Sequence, residues 1–175
     1  MGEQISAEEL KKLLRLQPHF REGGWFRQIW RAEEAIPASV LPARYASGRD
    51  AGRVAGTAIF YLLELDNFSE MHRLVSDEVF HFYLGDPVEM LQLFPDGSGR
   101  TVTLGNDLAA GQQVQTVVPQ GVWQGSHLLP GGTLALLGCT VSPGFEYVDY
   151  ESGARAELTE AWPDWAEKIA ALTRR

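Results

Sequence analysis

Only one cysteine, Cys139, occurs in the 175 residues, so no disulfide can form within the chain. A reducing compartment, the cytoplasm, is therefore expected. Basic residues are in the minority: 15 Lys and Arg stand against 23 Asp and Glu, for a formal net charge of −8. That balance excludes a nucleic-acid backbone as the expected partner, because proteins that hold phosphate chains cluster Lys and Arg. No apolar run comes near the roughly 20 residues that a membrane-spanning helix needs, so no membrane partner is expected. The opening Met1-Gly2-Glu3-Gln4 lacks the basic-then-apolar pattern of a secretory leader. Repeats, low-complexity tracts, Walker-type and dinucleotide glycine patterns and a Gly-x-Ser-x-Gly elbow are all missing. What is present is an ordinary composition, 45% hydrophobic and 22% charged, in a chain that fits one domain with a sizeable core.

The first element is a helix over about 6–16. Ser6 and Glu9 form a capping box, and Ile5 and Leu10 occupy the hydrophobic-staple positions. Leu10, Leu13 and Leu14 recur at helical spacing, and Pro18 is expected to end the run. After Gly23-Gly24, the segment Trp25 to Trp30 alternates as a strand, with Trp25, Arg27 and Ile29 on one face and Phe26, Gln28 and Trp30 on the other. Residues 32–53 read as a long surface excursion. From Val54 onward, short strands follow one another, separated by turn sequences such as Gly85-Asp86-Pro87 and Pro130-Gly131-Gly132. Nothing between them is long enough for crossover helices, so an all-β sandwich or barrel is expected rather than a parallel sheet. A last helix is read over about 161–173, with Trp162, Trp165, Ile169 and Leu172 on one stripe and Pro163 in its first turn.

The chemistry-bearing residues gather around two strands. Strand parity puts Glu78, Phe80, Phe82 and Leu84 on one face and Val79, His81 and Tyr83 on the other. A carboxylate that leads two phenylalanines on an apolar face is costly unless a cation or hydrogen-bond donors meet it. Two readings follow: a ligand-binding or metal-ligating carboxylate at a barrel mouth, or a strand-end ion pair with Arg73. His81 is a candidate base, though parity sends it away from Glu78 unless a bulge intervenes. His19 either caps the double-glycine loop or lines a pocket, His127 is read as a surface residue, and Cys139 is read as a buried, inert thiol.

Segments spread along the chain carry a resemblance. They include Pro18-His19, Glu22-Gly23-Gly24-Trp25-Phe26-Arg27, His72-Arg73, Ser76-Asp77-Glu78, His81-Phe82-Tyr83, Gly85-Asp86-Pro87, Pro119 with Gly121-Val122-Trp123-Gln124, and Gly138-Cys139-Thr140-Val141. Over residues 8 to 151 the sequence resembles the cupin 5 family of jelly-roll proteins; Phe20 departs from the proline that members often have after the first-motif histidine. The resemblance implies a double-stranded β-helix, similar to the deoxysugar-nucleotide 3,5-epimerases, with a barrel over about 24–151 and a homodimeric assembly.

It also implies a pocket. Cupin metal motifs commonly carry His-x-His, a short gap, Glu, six residues and Gly, then Pro-x-Gly-x-x-His. Glu78 and Gly85 fit that pattern. A three-residue gap puts His72 at the first histidine and Leu74 at the second; a four-residue gap puts Met71 and Arg73 there. Gln124 stands at the last ligand position, where an amide oxygen binds zinc or iron more weakly than imidazole does. The expected pocket comprises His72, Glu78 and Gln124, with Glu22, Trp25, Arg27 and Trp123 as further ligand-binding candidates. The expected ligand is a small polar metabolite. Three functions are open: a sugar-nucleotide epimerase or isomerase using His72 or His81 as base, Tyr83 as acid and Arg27 or Arg73 on a phosphate; a cupin holding a divalent metal ion on His72, Glu78 and Gln124; and a non-catalytic binding module.

Overall fold

The computed structural model describes residues 5–45 and 52–174. Helix α1 (Ala7–Leu14) starts on the capping box: the Glu9 backbone N–H donates to Ser6 Oγ, and Glu9 Oε2 accepts from the Ser6 N–H. It stops at Arg15, whose left-handed φ of 52° breaks the helical hydrogen-bond run before Pro18 is reached. Its apolar face packs Leu10 and Ile5 against Leu62, Leu134, Leu136 and Trp25.

The strands are β1 (Gln17–Pro18), β2 (Trp25–Arg31), β3 (Ala35–Ile36), β4 (Arg53–Val54), β5 (Thr57–Glu64), β6 (Ser69–Leu74), β7 (Asp77–Gly85), β8 (Val88–Leu93), β9 (Gly99–Leu104), β10 (Gln115–Val118), β11 (Trp123–Leu128), β12 (Leu134–Ser142) and β13 (Tyr150–Ser152). Two antiparallel sheets form from them. One runs β1-β2-β5-β12-β7-β10, the other β13-β6-β11-β8-β9, and β3 and β4 make a separate ribbon. The fold is an all-β jelly roll. Its main core lies between the sheets, where Tyr61, Phe80, Phe82, Leu137 and Cys139 of one sheet meet Val88, Met90, Leu104 and Leu128 of the other.

Outside the five-stranded sheet, Met71, Leu91, Leu93 and Trp123 pack on α2 (Arg155–Ala161) and α3 (Ala166–Ala171). The expected single C-terminal helix is two. A 3-10 turn over Pro163–Trp165 separates them, because proline cannot donate the backbone N–H that would carry α2 onward. The Trp162, Trp165, Ile169 and Leu172 stripe still packs as one cluster. The excursion over 32–53 holds more structure than a loop reading implies: β3 and β4 pair, and Tyr45 and Arg53 are buried. Its residues 46–51 lie outside the described residues. Among the described residues, no helix is long and apolar enough to cross a membrane.

Two irregularities alter strand parity. Between Phe82 and Leu84 the pairing with β12 slips by one residue. The bulge lets Tyr83 lie over Gly138, and it turns Leu84 outward onto the α1 cluster, so Leu84 does not share the face of Glu78 and Phe80. A second slip, between Gln28 and Trp30, follows the pocket-facing part of β2.

The β3–β4 ribbon is fixed by a buried ion pair. Arg53 donates from Nε and Nη2 to the two Asp149 oxygens at 2.7 and 2.6 Å. Asp149 adjoins β13, so this pair fixes the end of the barrel from which Tyr150 enters. Asp149→Ala deprives a buried guanidinium of its bidentate partner and is expected to cost ~3–5 kcal/mol in urea unfolding. Glu151→Ala, which breaks the exposed Arg73–Glu151 pair, should cost less than ~1 kcal/mol. Equal losses would contradict this assignment.

Candidate functional site

Glu78 begins the apolar face of β7 and points between the sheets. Its backbone neighbours are Val141 on β12 and Val118 on β10. Across the barrel, His72 on β6 is paired with Gln124 on β11, and both side chains are buried. The Gln124 amide donates to Glu78 Oε2 at 2.5 Å. Arg73, the alternative partner for Glu78, makes a bidentate pair with Glu151 instead, at 2.7 and 3.0 Å.

A cavity of about 560 Å³ of empty space, open solvent at its mouth included, lies against this group. His72 and Glu78 line it, as do His19 and Glu22 from the loop before β2. Phe26, Ile59, Leu74 and Val141 form apolar wall, and Phe145, Tyr147 and Tyr150 add aromatic surface.

The two imidazoles present opposite groups. His72 Nδ1–H donates to the Glu70 carbonyl at 2.7 Å, so the neutral ring offers a lone pair at Nε2. Among the described residues, Nε2 has no hydrogen-bond partner. Tyr150 stacks on this ring at 4.9 Å between centroids, and its hydroxyl donates to Glu70 Oε1. Glu70 thus fixes both the tautomer and the ring that covers it. In His19, Nδ1 accepts from the Glu22 backbone N–H at 2.9 Å, which places the proton on Nε2. That Nε2 lies 4.0 Å from Glu22 Oε2, and the Ser69 hydroxyl donates to Glu22 Oε1 at 2.5 Å.

Burial sets the titration of the site. It pushes the Glu78 carboxyl up to about 7; Glu22 adds to the rise, while His72, Gln124 and Cys139 oppose it. Burial lowers the His19 pKa, which favours its neutral form. Burial, with Glu78 and Glu22 nearby, pushes the Cys139 thiol well above its usual range, as befits an inert thiol.

Of the sequence-derived candidates, the fold brings Glu22, His72, Glu78 and Gln124 together. The others lie elsewhere. His81 is on the outer face of β7, where Gln115 Nε2 lies 2.9 Å from its Nδ1 and Thr140 Oγ1 3.1 Å from its Nε2. Tyr83 is on the same outer side, stacked on His81. Trp25 packs against α1 with Lys11 Nζ 4.1 Å from its ring centroid, and Arg27 lies over Phe60. Trp123 faces α2 and α3, with the Arg73 guanidinium 4.5 Å from its ring. For β2 the pocket face is Phe26 and Gln28, the opposite of the one chosen, because aromatic residues on both faces hide which is inner. Tyr150 and Tyr147 arrive from the far end of the chain, and no local sequence pattern marks them as pocket residues.

The donor set also tests the metal reading. A divalent ion on His72, Glu78 and Gln124 needs three converging lone pairs. Gln124 instead turns its N–H to the carboxyl, and Glu78 is about half protonated near pH 7. Among the described residues, no three His, Cys, Asp or Glu side chains gather as a metal-holding group. The residues present do not fit a resident metal ion.

The raised Glu78 pKa has a stability consequence. A folded-state value above the unfolded 4.5 means that protonated Glu78 stabilises the fold fully below about pH 4.5, and that this contribution is lost as pH rises through about 7. Glu78→Gln is permanently neutral. In urea unfolding its stability should match wild type near pH 4.5 and exceed it at pH 8 by up to ~3 kcal/mol. A deficit that widens with pH would contradict the assignment.

Comparison with known proteins agrees with this architecture. The chain resembles protein SO0799 from Shewanella oneidensis, with a TM-score of 0.83 and 32% identity over 98% of this chain and 99% of that one. It resembles a hypothetical protein from Leishmania major, with a TM-score of 0.85 and 28% identity over 98% of this chain and 100% of that one. The uncharacterized protein YML079W of Saccharomyces cerevisiae is 29% identical over 136 residues, covering 74% of this chain and 67% of the yeast protein. The family model for cupin 5, described as Cupin superfamily (DUF985), matches residues 8–153. With a jelly roll that buries its polar residues where that family's motifs fall, the chain belongs to the cupin 5 family.

Proposed function

We propose that the protein binds a small polar metabolite between its sheets and moves a proton on it, with His72 as base and Glu78 as acid. One observation carries this reading: a buried imidazole lone pair without a partner and a carboxyl with a pKa of about 7 line the same cavity. Isomerisation next to a carbonyl needs a base that is free near neutrality and an acid that still holds its proton there. His72 Nε2 accepts the C–H proton. Glu78 donates to the carbonyl oxygen as the enol forms, and the reverse transfers complete the isomerisation. Glu70 keeps His72 in the required tautomer through its backbone carbonyl.

The sugar-nucleotide form of this idea lacks support. Arg27 and Arg73 were to hold the phosphate, but Arg27 lies on the outer face and Arg73 is engaged by Glu151. The cavity lining contains neither Lys nor Arg. A compound without phosphate suits this lining better, since a buried anion needs a counter-charge.

Small hydroxy-aldehydes and hydroxy-ketones incubated with the enzyme in D₂O provide the test. NMR should show protein-dependent deuterium incorporation next to the carbonyl, reduced about 100-fold or more in His72→Gln. Exchange at the wild-type rate in His72→Gln would refute the role of His72. Ligand binding with no exchange for any compound would leave a binding module without catalysis.

A further inference from the structure

Proton transfer by His72 and Glu78 leaves one buried ionisable group of the cavity without a role. Glu22 is 9% exposed and lines the cavity. Ser69 satisfies Oε1, while Oε2 has no hydrogen bond among the described residues. Its neighbour within ion-pair range is His19, at 4.0 Å. That imidazole already spends Nδ1 on the Glu22 backbone N–H, and burial favours its neutral form. The two arginines near this end of the barrel are engaged elsewhere: Arg174 pairs with Glu70 at 3.5 Å, and Arg21 lies over the Tyr147 ring.

We infer that Glu22 is the anchor for a positively charged group, and that the ligand is a small primary amine whose ammonium seats on Glu22. This rests on the reading of the cavity as a ligand site. A carboxylate removed from water needs a cation or several donors, and among the described residues the chain supplies Glu22 with the neutral hydroxyls of Ser69 and Tyr61 and with no bonded cation. An ammonium brings three N–H donors and a full charge. The site is more than an acidic pair, because His72 Nε2, in a side chain only 2% exposed, also opens on the cavity without a partner. Glu22 Oε2 and His72 Nε2 are both acceptors that face the cavity, which suits a ligand that brings donors.

The walls suit a cation as well. Phe26, Tyr147 and Tyr150 line the same space, and aromatic faces attract ammonium and guanidinium groups. The protein itself places the Arg21 guanidinium 5.3 Å from the Tyr147 ring centroid. With the ammonium on Glu22, His72 and Glu78 remain free to act on a neighbouring carbon. The ligand class is therefore a primary amine that carries a hydroxyl or carbonyl close to its nitrogen.

The test uses three fragments of one size on the full chain: ethanolamine, ethylene glycol and glycolate, at matched ionic strength. Binding is read from the His72 ring resonances by NMR. Ethanolamine is expected to bind about tenfold or more tightly than either of the others, and Glu22→Gln to remove that preference. N-acetylethanolamine, which keeps the skeleton but not the charge, should lose the advantage in the wild-type protein. This arm decides the question even if Glu22→Gln fails to fold. Equal or tighter binding of ethylene glycol or glycolate overturns the ammonium assignment while the cavity stands as a ligand site. No response of His72 to any fragment overturns both.

Discussion

A carboxyl group between two β-sheets must either be met by donors or keep its proton, and Glu78 does both. The Gln124 amide holds one oxygen, and burial keeps the group near half-protonation at neutral pH. The rest of the site is arranged around that compromise. His72 sits opposite Gln124 across one strand pair and is locked by the Glu70 carbonyl into the tautomer that leaves a lone pair on the cavity. Tyr150 covers its ring and returns a hydrogen bond to the Glu70 side chain. The barrel end from which Tyr150 comes is in turn fixed by the buried Arg53–Asp149 pair. Packing, tautomer and titration state therefore depend on one another.

The same interdependence explains why a metal-ligand pattern is half present in the sequence and not realised as a metal centre. Gln124 in place of a histidine supplies an N–H, and the carboxyl accepts it. That arrangement suits the proton transfer we propose. Burial among the cavity's aromatic and aliphatic walls raises the cost of charge and so lifts the Glu78 pKa. In a cavity lined without Lys or Arg, the proposed ligand would supply the charge compensation. Glu22 is where that demand is sharpest.

Much of the fold was legible because it is written in local periodicity. The Ser6–Glu9 capping box and the leucines of α1 mark the first helix, and the turn sequence Pro130-Gly131-Gly132 falls between β11 and β12 as expected. The inward direction of Glu78 followed from alternation with Phe80 and Phe82. Parity failed where pairing slips: the bulge at Tyr83 reverses Leu84, and nothing in the sequence announces it. Parity also names two faces without saying which is inner. On β2, with aromatics on both, alternation alone does not separate the outer Trp25 and Arg27 from Phe26 and Gln28, which line the pocket. Long-range partners were beyond reach altogether. Glu70 as the residue that sets the His72 tautomer, and Tyr150 as its cover, depend on β6 meeting β13 from nearly eighty positions away.

The central claim is that a buried, interior carboxyl titrates near neutrality beside a free imidazole lone pair. It is tested most directly by ¹³C NMR of the Glu78 side-chain carboxyl across pH in the ligand-free protein. A midpoint of about 7, well clear of the ordinary 4.5, is the predicted result. A midpoint at the ordinary glutamate value would mean that water reaches the carboxyl freely, and it would contradict the account of the site.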